Sequence, residues 1–140
     1  MSLIYVARQI PEAGIVKLRE AGHEVVISEK DGVLTHDELM QELGAREYDG
    51  LTSLLSDAID EKIFTAFPSI KIVANYAVGY NNINVDDATS HNVVVTNTPG
   101  VLTDTVAEYT ISLMLATMKR IPEAERFTRA GKYEGWAPEL

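Results

Sequence analysis

The sequence predicts an α/β fold: a parallel five-stranded sheet with helices on both faces, followed by a long apolar helix and a helical tail. Two observations carry this reading. Short β-branched runs alternate with helical segments about every 20 to 25 residues through the first two thirds of the chain, a spacing that calls for βαβ crossovers and hence for parallel strands. From Thr103 onward the alternation stops, and apolar residues cover most of a helix circumference. A helix lying on one sheet face needs only a stripe.

Leu3 to Ala7 form the first strand. Pro11 suits a helix's first turn, and Glu12 to Glu20 follow, with Ile15, Val16 and Leu18 expected on the buried face. Ala21-Gly22 ends that helix with a residue able to take positive φ, and Glu24 to Ser28 is the second strand. Thr35 with Glu38 is a capping-box pattern that opens a helix through about Leu43; Gly44 fits its end and Gly50 to Leu55 is the third strand. Asp60 to Phe67 make a short helix stopped by Pro68, and Ile70 to Ala77 form a fourth strand running into Gly79. Asn84 begins one or two helical turns over Val85 to His91, and Val93 to Thr96 is the fifth strand, ending at Asn97-Thr98-Pro99-Gly100. The strand order expected from these crossovers is flavodoxin-like.

Thr103 to about Arg120 reads as one long helix, with an acidic first turn and Lys119-Arg120 in its last, both matched to the helix dipole. Its apolar circumference calls for burial on several sides, either as the central helix of a larger domain or in a subunit interface. After Pro122, Glu123 to Ala130 is a second helix closed by Gly131, and the tail from Lys132 to Leu140, with Tyr133 and Trp136, has no core of its own.

Composition removes several function classes. With no cysteine the chain has no disulfide, thiolate nucleophile or thiolate metal site. Twelve basic against 21 acidic residues give a net charge of −9, which argues against a nucleic-acid partner. No stretch approaches the roughly 20 apolar residues of a membrane span, and the first residues lack a basic region followed by a long apolar one, so a cytoplasmic protein without a membrane partner is expected. His23, His36 and His91 lie far apart without an i,i+4 partner; each is expected to be exposed, and no metal site is expected.

In open parallel sheets ligands bind outside the carboxyl ends of the strands. Three loops follow there: Leu54-Leu55-Ser56-Asp57, Asn75-Tyr76-Ala77-Val78-Gly79-Tyr80-Asn81-Asn82, and Asn97 to Thr103. In the second, a glycine among apolar and amide residues lets the backbone approach a ligand, and successive N–H groups in a turn can hold a carboxylate. Gly79 and Asn81-Asn82 could equally build a plain turn. The Thr103 hydroxyl sits where it can cap the long helix, whose N-terminus is also a site for anions.

The run from Lys71 to Arg129 contains V-G-x-x-N at Val78 to Asn82 and T-N-T-P-G-V-L-T-x-x-x-A-E at Thr96 to Glu108. This combined spacing resembles the D-isomer-specific 2-hydroxyacid dehydrogenases, in particular their glyoxylate and hydroxypyruvate reductase branch, and the likeness extends more loosely over the rest of the chain. It implies a substrate-binding (catalytic) domain over residues 1–98. Residues 99–140 would be the helical start of a nucleotide-binding domain, carrying a dimerisation arm. It further implies that the backbone of Val78 and Gly79 holds the carboxylate of a small 2-keto or 2-hydroxy acid, that Ala77 also belongs to the substrate-binding residues, and that Leu55 lines the pocket. The Thr103 hydroxyl would face an NAD or NADP nicotinamide nucleotide, and the helix over 103–120 would lie in a homodimer interface. An aromatic at Trp136 would reach the neighbouring subunit's pocket, with packing inside its own subunit as the other reading.

No Gly-x-Gly-x-x-Gly occurs in this chain, and the Arg, Glu and His that such enzymes use downstream are not in it. The chain is therefore expected to stop before these parts, to contain no catalytic residue, and to be inactive alone. A stand-alone small-acid-binding or regulatory protein derived from the enzyme is the alternative. A phosphate-accepting receiver module, suggested by Asp57, lacks the acidic pair after the first strand, where Arg8-Gln9-Ile10 stands.

Overall fold

The structure is a computed structural model and describes residues 1–136 and 138. The chain divides into two compact units, residues 1–100 and 101–140.

The first unit runs β1 (Leu3–Val6), α1 (Glu12–Glu20), β2 (Glu24–Ile27), α2 (His36–Leu43), β3 (Gly50–Ser53), α3 (Glu61–Ala66), β4 (Ile72–Asn75), α4 (Val85–Ser90) and β5 (Val94–Thr96). All pairings are parallel, in the order β2-β1-β3-β4-β5, which is the flavodoxin-like winding with its switch between β1 and β3. The core gathers Tyr5, Leu39, Leu43, Leu51, Ile59, Ile63, Phe64 and Val73. Gly50 lets β3 lie close to its neighbours: a methyl there would meet Ile72 Cγ2 at 3.2 Å and Ile4 Cγ1 at 3.7 Å. The buried phenol of Tyr5 donates to Glu42, which also accepts from Ser28 Oγ at 3.1 Å. Burial and that carboxylate push the Tyr5 phenol well above its ordinary pKa.

The strands are shorter than the apolar runs suggest. The third stops at Ser53 because the Asp57 N–H turns back to Leu54 O at 3.0 Å. Helix termini follow local chemistry closely. Thr35 and Glu38 form the reciprocal capping box, Asn84 accepts from the Asp86 and Asp87 N–H groups, and Asp60 accepts from those of Lys62 and Ile63. On α1, Ile15 is buried and Leu18 half-buried, but Val16 is exposed; it lies about 100° around the helix from Ile15.

The histidines are half-buried rather than exposed. His36 Nε2 lies 3.2 Å from Asp60 Oδ1 and His91 Nε2 lies 3.0 Å from Glu61 Oε1. Carboxylates 24 and 30 residues away in sequence draw these rings in.

The second unit holds α5 (Thr103–Met118) and α6 (Ile121–Arg129). Thr103 is the first residue inside α5 rather than its cap: the cap position is Leu102, and no side chain caps the helix there. The helix also ends earlier than expected, since Arg120 takes a left-handed conformation, φ 53°, between α5 and α6. Pro122 therefore sits in the first turn of α6 instead of before it, where its missing N–H costs nothing. Among the described residues, no helix is long and apolar enough to cross a membrane.

Candidate functional site

The loops at the carboxyl ends of β3 and β4 are joined by a buried polar network. Ser53, the last residue of β3, is fully buried and donates from Oγ to Asn75 Oδ1 at 3.0 Å. Asn75, the last residue of β4 and 3% exposed, uses its amide twice, toward Gly79 O at 2.8 Å and Asn82 Oδ1 at 3.0 Å. Asn82 Nδ2 reaches across to the β3 loop, donating to Leu54 O at 3.0 Å and Asp57 O at 2.9 Å. Polar groups withdrawn from water this far must be paired, and these are.

The network sets the direction of the peptides that follow β4. Ala77 O accepts from Thr98 N at 2.9 Å, Val78 O from Asn97 Nδ2 at 2.8 Å, and Gly79 O from the Asn75 amide. Every peptide here is trans, so each tied carbonyl turns the next N–H the opposite way. The N–H groups of Val78, Gly79 and Tyr80 thus point away from the anchoring groups. Val78 is 43% exposed, and Gly79 and Tyr80 are exposed as well. Successive outward amides of this kind suit an anion.

Leu55 stands over this loop. It is 55% exposed, and a methyl placed on Gly79 would come within 3.9 Å of its Cδ1 and within 3.1 Å of Asn81 Oδ1. Ala77 is half-buried beside them. Arg8, just beyond β1, donates from Nη2 to Ser56 Oγ at 2.9 Å and so places a positive charge next to the Leu55 loop.

The first unit therefore brings Leu55, Ala77, Val78 and Gly79 to one end of the sheet. Thr103 and Trp136 belong to the second unit; Thr103 is exposed in the first turn of α5, and Trp136 is 84% exposed. Asp57 is buried and inward-facing: Oδ2 accepts from Leu54 N at 2.8 Å and Oδ1 from Ser56 Oγ at 3.3 Å. That geometry leaves no open phosphate acceptor. Among the described residues no cluster of His, Cys, Asp or Glu could hold a metal ion. Sequence reasoning gave no site role to Arg8, Ser53 or Asn75, and it read Asn82 only as a turn former and as the last residue of V-G-x-x-N. Their available signal is that Ser53 and Asn75 interrupt apolar strands at matching ends, paired in register across β3 and β4.

An open parallel sheet in this order defines a doubly wound α/β domain, a class of fold that takes ligands at the carboxyl rim where these loops lie. The chain belongs, more particularly, to the D-isomer specific 2-hydroxyacid dehydrogenases: the model of that family's catalytic domain matches residues 4–133. The glyoxylate reductases of Thermococcus kodakarensis and Korarchaeum cryptofilum are 42% and 43% identical to it, each over 96% of this chain and 41% and 40% of their own length.

Among solved structures, a protein from Thermus thermophilus superimposes with a TM-score of 0.90 at 32% identity, covering 99% of this chain and 43% of that one. An NADPH-dependent glyoxylate/hydroxypyruvate reductase of Sinorhizobium meliloti, in complex with NADP and malonate, gives 0.73 at 34% identity over 98% and 41%. The chain thus spans about two fifths of the length of the curated relatives it matches.

Proposed function

We propose that this chain forms the substrate-binding part of an oxidoreductase that moves a hydride between NADH or NADPH and a small 2-keto acid of the glyoxylate or hydroxypyruvate class. The observation that carries the proposal is the loop after β4. Its carbonyls are anchored by Thr98, Asn97 and Asn75, and its N–H groups at Val78 and Gly79 are left for a ligand. These amides would bind the substrate carboxylate, with Ala77 beside them and Leu55 as the apolar wall that sets how large a side group fits. Holding the acid by its carboxylate fixes where its keto carbon stands, which is the positioning share of catalysis.

In this reading residues 1–98 are the substrate domain and residues 99–140 open the nucleotide domain. Thr103 then faces the nucleotide, the 103–120 helix pairs with a second copy of the chain, and Trp136 reaches the partner's pocket. The nicotinamide nucleotide supplies the hydride. The residues of this chain do not fit the pyrophosphate, because none of its nine glycines forms a Gly-x-Gly-x-x-Gly loop, so that group would be held by residues outside it.

The test is oxidation of NADH and NADPH by the full-length natural protein with glyoxylate and with hydroxypyruvate. Turnover with either acid is expected, and none from the 140-residue chain alone. No turnover by the full-length protein with any small 2-keto acid would refute the reading.

A further inference from the structure

We propose that Asn82 is a positioning residue that fixes the gap between the Leu55 wall and the Val78–Gly79 amides. The inference rests on the substrate site proposed above.

Two loops must keep a constant separation if a small acid is to be gripped by one and sized by the other. Their backbones are tied below the site, by Tyr76 N to Ser53 O at 2.7 Å, and beyond it, by the bridge of Ile59 with Ile83. Between these ties the link is one carboxamide. Asn82 Nδ2 donates to Leu54 O and Asp57 O, which bracket Leu55 and Ser56, while its Oδ1 accepts from Asn75 Nδ2, the same amide that holds Gly79 O. The orientation is fixed chemically, since the reverse placement would set an amide oxygen against two carbonyl oxygens.

One planar group thus touches both sides of the gap. The backbone ties at Ile59 and Ile83 do not use it, so the fold should survive its removal while the gap loosens.

The experiment compares Asn82→Ala and Asn82→Asp with the unaltered full-length protein. It reads KM for glyoxylate, KM for the nicotinamide nucleotide, and amide hydrogen exchange in both loops. Ala leaves Leu54 O and Asp57 O without their side-chain donor, and Asp sets an oxygen against them. Either change is expected to raise the keto-acid KM by about 10- to 100-fold, with the nucleotide KM within about twofold of its starting value. Exchange should quicken together at the bonded amides that report each loop: Leu54 and Asp57 for the first, and Thr98 and Ile83, which donate to Ala77 O and Tyr80 O, for the second.

A keto-acid KM that does not move, or one that rises in step with the nucleotide KM, would overturn the proposal, because a merely structural loss affects both ligands. If the unaltered protein turns over no 2-keto acid, the functional reading fails, and exchange alone then decides whether Asn82 couples the loops. Quickening confined to one loop would refute the coupling.

Discussion

Replacing Gly79 by Ala separates the site from the fold. The φ of Gly79 is not among the positive values, so alanine adopts the same backbone without strain. By narrowing the unfolded ensemble it should stabilise the chain by about 0.4–1 kcal/mol. Against this, the new methyl lies 3.1 Å from Asn81 Oδ1, tighter than ordinary contact. That oxygen ends an exposed side chain able to turn aside, so the net change in stability should stay within about 1 kcal/mol. The same methyl points between Asn81 and Leu55 Cδ1, beside the amides proposed to take the carboxylate. A carboxylate held off by a methyl loses at least one charge-assisted hydrogen bond, worth about 1.5–3 kcal/mol, or roughly 10- to 150-fold in affinity. Urea denaturation measures the first quantity and the keto-acid KM of the full-length protein the second. An unchanged KM would refute the anion-loop reading. A loss of more than about 2 kcal/mol in stability would show instead that Gly79 is required by the fold.

Thr35→Ala removes the capping box of α2 and should lower stability by about 1 kcal/mol, while Thr35→Ser keeps most of it; an Ala variant with an unshifted urea midpoint would contradict the cap. Acid should weaken the first unit. Hydrogen bonds from Lys30 and Thr35 bring Glu38 down to about 2, and the bond to His91 lowers Glu61. At Asp60 burial pulls upward, but His36 and the α3 amides leave the carboxyl below its ordinary value. Groups with lowered values stabilise the fold above their unfolded pKa, near 4, and that help is lost as pH falls through the lower folded values. The urea midpoint should therefore drop between pH 5 and pH 2 in steps that Glu38→Gln removes in part; a flat midpoint would count against these bonds. Finally, α5 exposes Val106, Tyr109, Ile111, Leu113, Met114, Leu115 and Met118. The 140-residue chain should self-associate in sedimentation at high concentration, and a clean monomer would remove the interface assignment.

What the sequence made legible was whatever local chemistry decides. Short β-branched runs bounded by turn residues mark strands whatever their later burial, so the β1 to β5 succession could be read directly, as could helix starts at Thr35 and Asn84, where the cap and its amides lie within three residues. The 118–122 boundary was not legible, because a proline that breaks a helix interior is equally at home in a first turn; only the left-handed Arg120 distinguishes the two. Half-buried His36 and His91 were missed for another reason: their carboxylate partners, Asp60 and Glu61 at the start of α3, reach them only after folding.

The site divides along the same line. Val78 and Gly79 stood out as a loop after a strand, but Ser53 and Asn75 read as plain strand residues and Asn82 as a turn former until β3 and β4 pair and set Ser53 beside Asn75. Their polarity then becomes the reason the loop is ordered. A carboxamide withdrawn from water and left unpaired is costly, so buried Asn75 and half-buried Asn82 must find partners, and those they find include the carbonyls of the two site loops. The direction of the open amides follows from satisfying the buried ones.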